Sequence, residues 1–87
     1  MNTNLFILII SIFATPDVKN VVLDYDTNIS GGTAYVDIMC PNSTNWISGA
    51  VNKPNNYGTN RFYLNLSNPS YFPECVRYGK MRVRIVK

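Results

Sequence analysis

The chain has 87 residues, two cysteines, no histidine and a net charge of +3. A chain of this length forms one small domain, whose core is marginal unless a covalent cross-link supports it. The absence of histidine excludes the Ser-His and Cys-His pairs of nucleophilic enzymes, and two cysteines alone do not complete a four-ligand zinc site.

The chain begins with an uncharged apolar segment. Residues 1–14 carry no charged side chain, and the apolar run from Leu5 to Phe13 contains a single serine. The run is shorter than the ~20 residues that cross a membrane and has the length of a signal-peptide core, about 7–15 residues. We therefore predict a signal peptide over 1–14, cleaved after Ala14, and one secreted, extracellular β-domain over 15–87. The alternatives are a first strand of the folded domain and an uncleaved signal anchor.

Apolar and polar residues then alternate in several short segments, which is the period of half-buried β-strands. The predicted strands span 21–26, 33–40, 46–51, 61–66 and 80–85. Gly31 and Gly32 predict a hairpin turn between the first two strands. The proline-containing segment 68–73 is predicted to form turns and no helix. The fold class is all-β, a small antiparallel sandwich or barrel of five to seven short strands.

The two cysteines, Cys40 and Cys75, permit one intramolecular pairing, and an exported protein favours the disulfide over free thiols. The loop that this bond closes, roughly 35 residues, corresponds to about 3–4 kcal/mol of chain entropy. We therefore predict that the disulfide stabilises the domain.

The order of Cys40, Trp46 and Cys75 weakly resembles that of immunoglobulin domains. Trp46 lies closer to the first cysteine than the core tryptophan of that family, and Pro73 stands where a tyrosine is expected. An immunoglobulin-like topology is one option among several antiparallel folds, and we assign no family.

Three Asn-X-Ser/Thr sequons begin at Asn28, Asn42 and Asn65. In a eukaryotic or viral glycoprotein these can carry glycans and must then lie at the surface. Of the three, we expect Asn42 to be the sequon that is glycosylated most readily, because it follows Cys40 and Pro41 in a loop.

The acidic residues give little evidence for a catalytic or metal-binding site. Asp24 and Asp26 share a strand face, at a spacing that fits a glycoside-hydrolase pair or, together with Asn28, the start of a calcium loop. A domain this small has little room for a substrate cleft, and Ile29 and Tyr35 stand where an EF-hand needs Gly and Glu. We therefore interpret this segment as a solvated strand face and predict no catalytic residue, metal site or cofactor.

The strongest candidate surface is basic. Five of the eight Lys and Arg residues lie in the last eleven positions, with three alternating on the final strand: Arg77, Lys80, Arg82, Arg84 and Lys87. They could form a stripe for anionic partners, or they could protect an exposed strand edge from aggregation. Exposed aromatic residues are the second candidate, although Trp46 fits a core position against the disulfide equally well. The predicted binding residues are Arg77, Lys80, Arg82, Arg84, Trp46, Tyr57 and Tyr63.

These patterns predict a secreted, non-enzymatic binding or effector module that engages an extracellular protein or glycan. The alternative is a cationic defence or toxin-like peptide that acts on anionic membranes through the basic strand. Nucleic acid fits the charge of that strand but not an extracellular location.

Overall fold

The structure, a computed structural model, describes residues 5–14 and 19–87 and is built mainly of β-strands. In chain order the elements are β1 (Ile7–Ala14), β2 (Asn20–Thr27), β3 (Thr33–Met39), β4 (Ile47–Pro54), β5 (Gly58–Asn65), a 3₁₀ turn (Pro69–Tyr71), α1 (Pro73–Tyr78) and β6 (Lys80–Val86). The all-β class and the disulfide between Cys40 and Cys75 are confirmed. Among the described residues, no helix has the length and apolar character needed to span a membrane.

The strands form two antiparallel three-stranded sheets. The first sheet has the order β1-β2-β5 and the second has the order β4-β3-β6. The pairing of β2 with β5 runs without interruption from Asn20 opposite Asn65 to Thr27 opposite Gly58. Consecutive strands therefore often lie in different sheets, and the connections between them cross from one sheet to the other.

The predicted hairpin between the first two predicted strands is wrong, because β2 and β3 belong to different sheets. Gly31 and Gly32 do supply positive φ angles, but they carry the chain across the core instead of folding it back beside itself. At Gly32 a Cβ atom would lie 2.8 Å from the carbonyl oxygen of Val86, so this crossing requires glycine.

One core lies between the two sheets. Alternate residues of β2, β3 and β5 supply most of it, as the period of two in the sequence predicts. The buried apolar residues are Val21, Leu23, Tyr25, Ala34, Val36, Ile38, Phe62, Leu64, Leu66, Val76 and Val83.

A buried polar network closes one end of the core. The Tyr25 hydroxyl donates to Asn55 Oδ1 at 2.8 Å, and Asn55 Nδ2 donates to the carbonyl oxygens of Ile29 and Gly31, each at 2.9 Å. Asn55 is itself 3% exposed. These bonds satisfy groups that would be costly to bury alone, and they join β2, the crossing loop and the loop after β4.

The prediction of no helix near the prolines is wrong. A 3₁₀ turn forms over Pro69–Tyr71, and α1 begins at Pro73. Proline is favoured in the first turn of a helix, where its missing N–H has no partner to lose and its φ is already suitable. Cys75 lies within α1, so the disulfide ties this helix to the residue that follows β3.

Residues 7–14, which the sequence predicts to be part of a signal peptide, form an edge strand on β2. The pairing shifts in register between Ile9 and Ser11. This arrangement corresponds to the alternative of a first strand, while removal of the leader after Ala14 stays a prediction.

Candidate functional site

The candidate site lies on the outer face of the second sheet. In the pairing of β3 with β6, Tyr35 lies opposite Arg84 and Asp37 lies opposite Arg82. Because side chains alternate along a strand, these four project from the same face while their neighbours enter the core. Trp46, immediately before β4, lies close enough to stack against Arg82. We call these five residues the arginine–aromatic face.

Asp37 is the centre of this face. Its Oδ2 accepts from Arg82 Nε at 2.9 Å and from Arg84 Nε at 3.1 Å, and the Gly49 N–H donates to Oδ1 at 2.8 Å. The carboxylate has no solvent exposure. One buried acceptor therefore sets the positions of two guanidinium groups.

The pKa of Asp37 reflects opposing effects. Burial alone would raise it, but the hydrogen bonds from Arg84, the Gly49 N–H and Arg82 outweigh burial, so the pKa lies below its usual range. The carboxylate is charged at neutral pH, as its role between two arginines requires.

Each guanidinium group also stacks on an aromatic ring. The central carbon of Arg82 lies 4.2 Å from the ring centre of Trp46, and that of Arg84 lies 4.8 Å from the ring centre of Tyr35. Such cation–π contacts combine with the ion pairs to hold planar groups in one orientation. These contacts restrict the conformations that the two arginine side chains can adopt.

Part of each arginine still faces solvent. The side chains of Arg82 and Arg84 are 46% and 37% exposed. Within the described part of the chain, Arg82 bonds Asp37 through Nε, and neither of its terminal nitrogens has a protein partner. These nitrogens can donate to an anionic ligand in the paired geometry that carboxylates and sulfates accept.

An open groove of about 490 Å³ adjoins the face. A volume of this order is within the range of small-ligand sites. Its lining combines an aromatic ring, two cations and apolar groups: Ile12, Trp46, Val76, Arg77, Gly79, Lys80 and Met81. Ile12 belongs to the predicted signal peptide, so cleavage after Ala14 would leave the other six residues as the lining. Arg77 also pairs with Glu74, with 3.2 Å between Nη1 and Oε1.

The structure brings five of the seven predicted binding residues to this region. Arg82 and Arg84 lie on the arginine–aromatic face, Arg77 and Lys80 line the groove, and Trp46 belongs to both. Trp46 is half-buried and packs against Arg82 instead of belonging to the core cluster.

Tyr57 and Tyr63 lie elsewhere. Tyr57 is exposed in the loop between β4 and β5, and Tyr63 is exposed on the outer face of the first sheet. Arg61 lies over the Tyr63 ring at 5.9 Å and pairs with Asp24 at 2.7 Å. These tyrosines do not contribute to the candidate site.

Two members of the face, Tyr35 and Asp37, were missed by sequence reasoning. Both belong to the polar half of an alternating strand, which by itself indicates only exposure. Their role depends on the register between β3 and β6, which brings Asp37 opposite Arg82. One sequence signal could have pointed to Asp37. It is the single acidic residue of its strand, and a strand much later in the chain carries basic residues that could pair with it.

Comparison with known proteins finds no matching family model, no matching curated protein and no matching solved structure. Function must therefore be argued from the geometry of this chain.

The Asp24 segment does not have the arrangement of a calcium loop. Asp24 accepts from Arg61 Nε and Nη2 at 2.7 and 3.0 Å, and the Arg61 hydrogen bond lowers the pKa of Asp24. Residues 5–14 and 19–87 contain no cluster of three or more His, Cys, Asp or Glu side chains that could hold a metal ion.

The three sequons differ in accessibility. Asn42 and Asn65 are exposed, whereas Asn28 is half-buried and its Oδ1 accepts from the Phe6 N–H at 3.0 Å. Glycosylation stays a prediction. Asn42, the sequon favoured by the sequence, lies in the exposed loop that follows Cys40.

Proposed function

We propose that this chain is a secreted, non-enzymatic binding module that recognises an acidic glycan through the arginine–aromatic face and the adjoining groove. The observation that carries the proposal is the pair of guanidinium groups, Arg82 and Arg84, held by one buried carboxylate and stacked on two aromatic rings. Ordered donors lose less conformational entropy on binding than mobile ones.

The charge of this region favours an anionic ligand. Among the residues that the structure describes, four cations lie at the face and the groove, and two carboxylates, Asp37 and Glu74, pair with them; the cations are Arg77, Lys80, Arg82 and Arg84. The guanidinium fork matches the planar geometry of a carboxylate and the oxygens of a sulfate group.

The shape of the region favours a sugar over a flat membrane surface. The groove is lined by the Trp46 ring, which can stack on the apolar face of a sugar, and by Arg77 and Lys80, which can pair with its acidic groups. An acidic polysaccharide can contact the groove and the arginine–aromatic face together.

The test is binding to heparin, hyaluronan and neutral dextran by titration calorimetry. We expect binding to heparin or hyaluronan, weakened about tenfold or more in an Arg82→Gln/Arg84→Gln variant, as at interface hot spots. The matched control is Arg61→Gln, because Arg61 has the same kind of aromatic and aspartate partners on the first sheet. The control should bind nearly as the unmodified chain does.

Three outcomes would contradict the proposal. The first is no binding to either acidic glycan, and the second is an equal loss in the Arg61→Gln control. The third is leakage of anionic vesicles that disappears in moderate salt, which would favour the cationic membrane-active peptide instead. Binding to a protein array with no glycan binding would identify a protein ligand for the same face.

We do not extend the proposal to an immunoglobulin-like fold. The two facing antiparallel sheets are compatible with that architecture, in which a disulfide joins the sheets. Here Cys40 and Cys75 join the end of β3 to α1.

A further inference from the structure

The two arginines of the arginine–aromatic face use their guanidinium groups differently. Arg84 directs one side of its guanidinium at Asp37, where Nε donates to Oδ2 at 3.1 Å and Nη2 donates to Oδ1 at 3.3 Å. Arg84 Nη2 also donates to Ser48 Oγ at 3.0 Å. Arg82 instead makes one hydrogen bond to this carboxylate, from Nε to Oδ2 at 2.9 Å.

These bonds leave a different set of donors open on each arginine. Within residues 5–14 and 19–87, neither Nη1 nor Nη2 of Arg82 has a protein partner, whereas Arg84 keeps Nη1 alone. A paired contact with two oxygens of a carboxylate or sulfate group needs N–H groups on two nitrogens of one guanidinium. Arg82 presents such a pair to solvent, and Arg84 has turned its pair towards Asp37.

Arg82 is also the arginine that adjoins the groove. Lys80, which lines the groove, lies two residues before it on β6, and its guanidinium stacks on Trp46, a second lining residue. Arg84 lies two residues further along the strand and stacks on Tyr35, which is not part of the groove. A sugar ring placed on Trp46 would therefore bring an acidic substituent close to the end of Arg82.

Arg84 controls the orientation of the buried carboxylate. Because it bonds both oxygens of Asp37, it fixes the plane of that group, and the single bond from Arg82 Nε is directed by this plane. Without Arg84, Arg82 could turn two of its nitrogens onto Asp37, as Arg84 does here. That movement would withdraw its terminal nitrogens from solvent and uncover the Trp46 ring.

We infer that Arg82 holds the acidic group of the ligand through its two terminal nitrogens, and that Arg84 is a positioning residue that acts through Asp37. The inference rests on the proposed glycan binding and deepens it, because it assigns one acidic group, a carboxylate or a sulfate, to this face. The sugar that carries this group stacks on Trp46. Arg84 itself does not contact the ligand.

Binding of three tetrasaccharides by titration calorimetry tests the two roles, with Arg82→Gln, Arg84→Gln and the double variant. We expect Arg82→Gln to weaken binding about tenfold, because charge-assisted hydrogen bonds are lost. The double variant should bind within about twofold of Arg82→Gln, since a residue that acts through Arg82 has no further effect once Arg82 is absent. Arg84→Gln alone should cause a smaller loss than Arg82→Gln.

The three tetrasaccharides come from hyaluronan, heparin and desulfated heparin, and they identify the acidic group. A loss in Arg82→Gln with hyaluronan and with desulfated heparin indicates a carboxylate at Arg82. A loss with heparin alone indicates a sulfate. Arg61→Gln, on the first sheet, is the matched control and should bind all three as the unmodified chain does.

Trp46 provides a second measurement that needs no ligand, because it is the one tryptophan of the chain. In Arg84→Gln, acrylamide should quench its fluorescence more strongly than in the unmodified chain, approaching the value in Arg82→Gln, where the ring has lost its guanidinium. Arg61→Gln should leave the quenching unchanged. Circular dichroism checks that each variant is folded; if Arg84→Gln is not, Arg84→Lys, which also lacks the paired donors, replaces it with the same expectations.

Three results would overturn the inference. A double variant that binds more than about twofold more weakly than Arg82→Gln would show that Arg84 contacts the ligand. Unchanged binding in Arg82→Gln would remove the contact, and unchanged Trp46 quenching in Arg84→Gln would remove the positioning role. If the unmodified chain binds none of the tetrasaccharides, the proposed function fails together with the contact at Arg82, while the quenching of Trp46 still decides the role of Arg84.

Discussion

At the scale of single residues, each sheet carries an arginine that pairs with an aspartate and stacks on an aromatic ring. On the first sheet Arg61 pairs with Asp24 and lies over Tyr63. On the second sheet Asp37 is fully buried and accepts from two arginines. Burial distinguishes the two aspartates, because an exposed ion pair contributes little to stability whereas breaking a buried one leaves unpaired groups.

We predict that Asp37→Asn lowers the free energy of unfolding by about 1.5–3 kcal/mol at pH 7, because charge-assisted hydrogen bonds to both arginines are lost. Urea denaturation measures this. Asp24→Asn should cause a smaller loss, because the Asp24 side chain is 18% exposed and its partner Arg61 is 52% exposed. An equal loss in both variants would contradict this argument.

The same variant changes the response to acid. The pKa of Asp37 is lowered in the folded state, so its stabilisation is complete above the ordinary pKa of about 3.9 and is lost as pH falls through the lower folded value. Between about pH 5 and pH 2 the melting temperature should therefore fall less steeply in Asp37→Asn than in the unmodified chain. The pKa of Asp24 is also lowered in the folded state. The melting temperature of Asp37→Asn should therefore still fall with pH, but with a smaller slope.

At the scale of elements, α1 is held against β3 by covalent and steric constraints. Cys75 bonds Cys40 after β3, and the Gly79 N–H donates to the Cys75 carbonyl oxygen at 2.7 Å as the helix ends. A Cβ atom at Gly79 would overlap the carbonyl oxygens of Met39 and Cys75. The helix can therefore lead directly into β6, beside β3, only through glycine.

We predict that Gly79→Ala costs about 3 kcal/mol of stability, the upper end for overpacking, because the overlapped atoms belong to the backbone. The matched control is Gly31→Ala. Gly31 has a φ of 75° but no atom within 4 Å of an added Cβ, so only backbone strain of about 1 kcal/mol opposes the change. Thermal denaturation compares the two, and a larger loss at Gly31 would refute the close-approach argument.

At the scale of the whole molecule, the first segment fits two roles that exclude each other, a predicted signal peptide and an edge strand. Residues 7–14 have the composition of a signal-peptide core and also fit against β2 as an edge strand. An almost continuous apolar run satisfies both requirements, because a signal peptide needs only apolar content whereas a strand needs one apolar face.

We predict that the protein exported by a host cell begins at Thr15. Amino-terminal sequencing and the intact mass of the secreted product measure this. Ile9→Lys interrupts the apolar run and should keep the chain inside the cell. A soluble secreted product that retains Met1 would contradict the signal peptide and identify β1 as a permanent strand.

The sequence by itself was sufficient for the β class, most strand positions and the disulfide. Alternation along 33–39 identifies the side chains that enter the core, because a strand presents every second residue to it. Two cysteines allow one pairing. Alternation is a local property of each strand, and two cysteines can pair in one way. Neither prediction therefore required the strand order.

Only the tertiary structure decided which strands are neighbours and hence what the candidate site contains. The glycine pair indicated a turn, yet Gly31 and Gly32 cross between sheets, since burial of the apolar faces of both strands outweighs their local pairing. Asp37 looked like an ordinary outward residue until its register with β6 placed it between Arg82 and Arg84. Strand register is a long-range property set by packing of the whole core, and it converts a basic stripe into an ordered arginine–aromatic face.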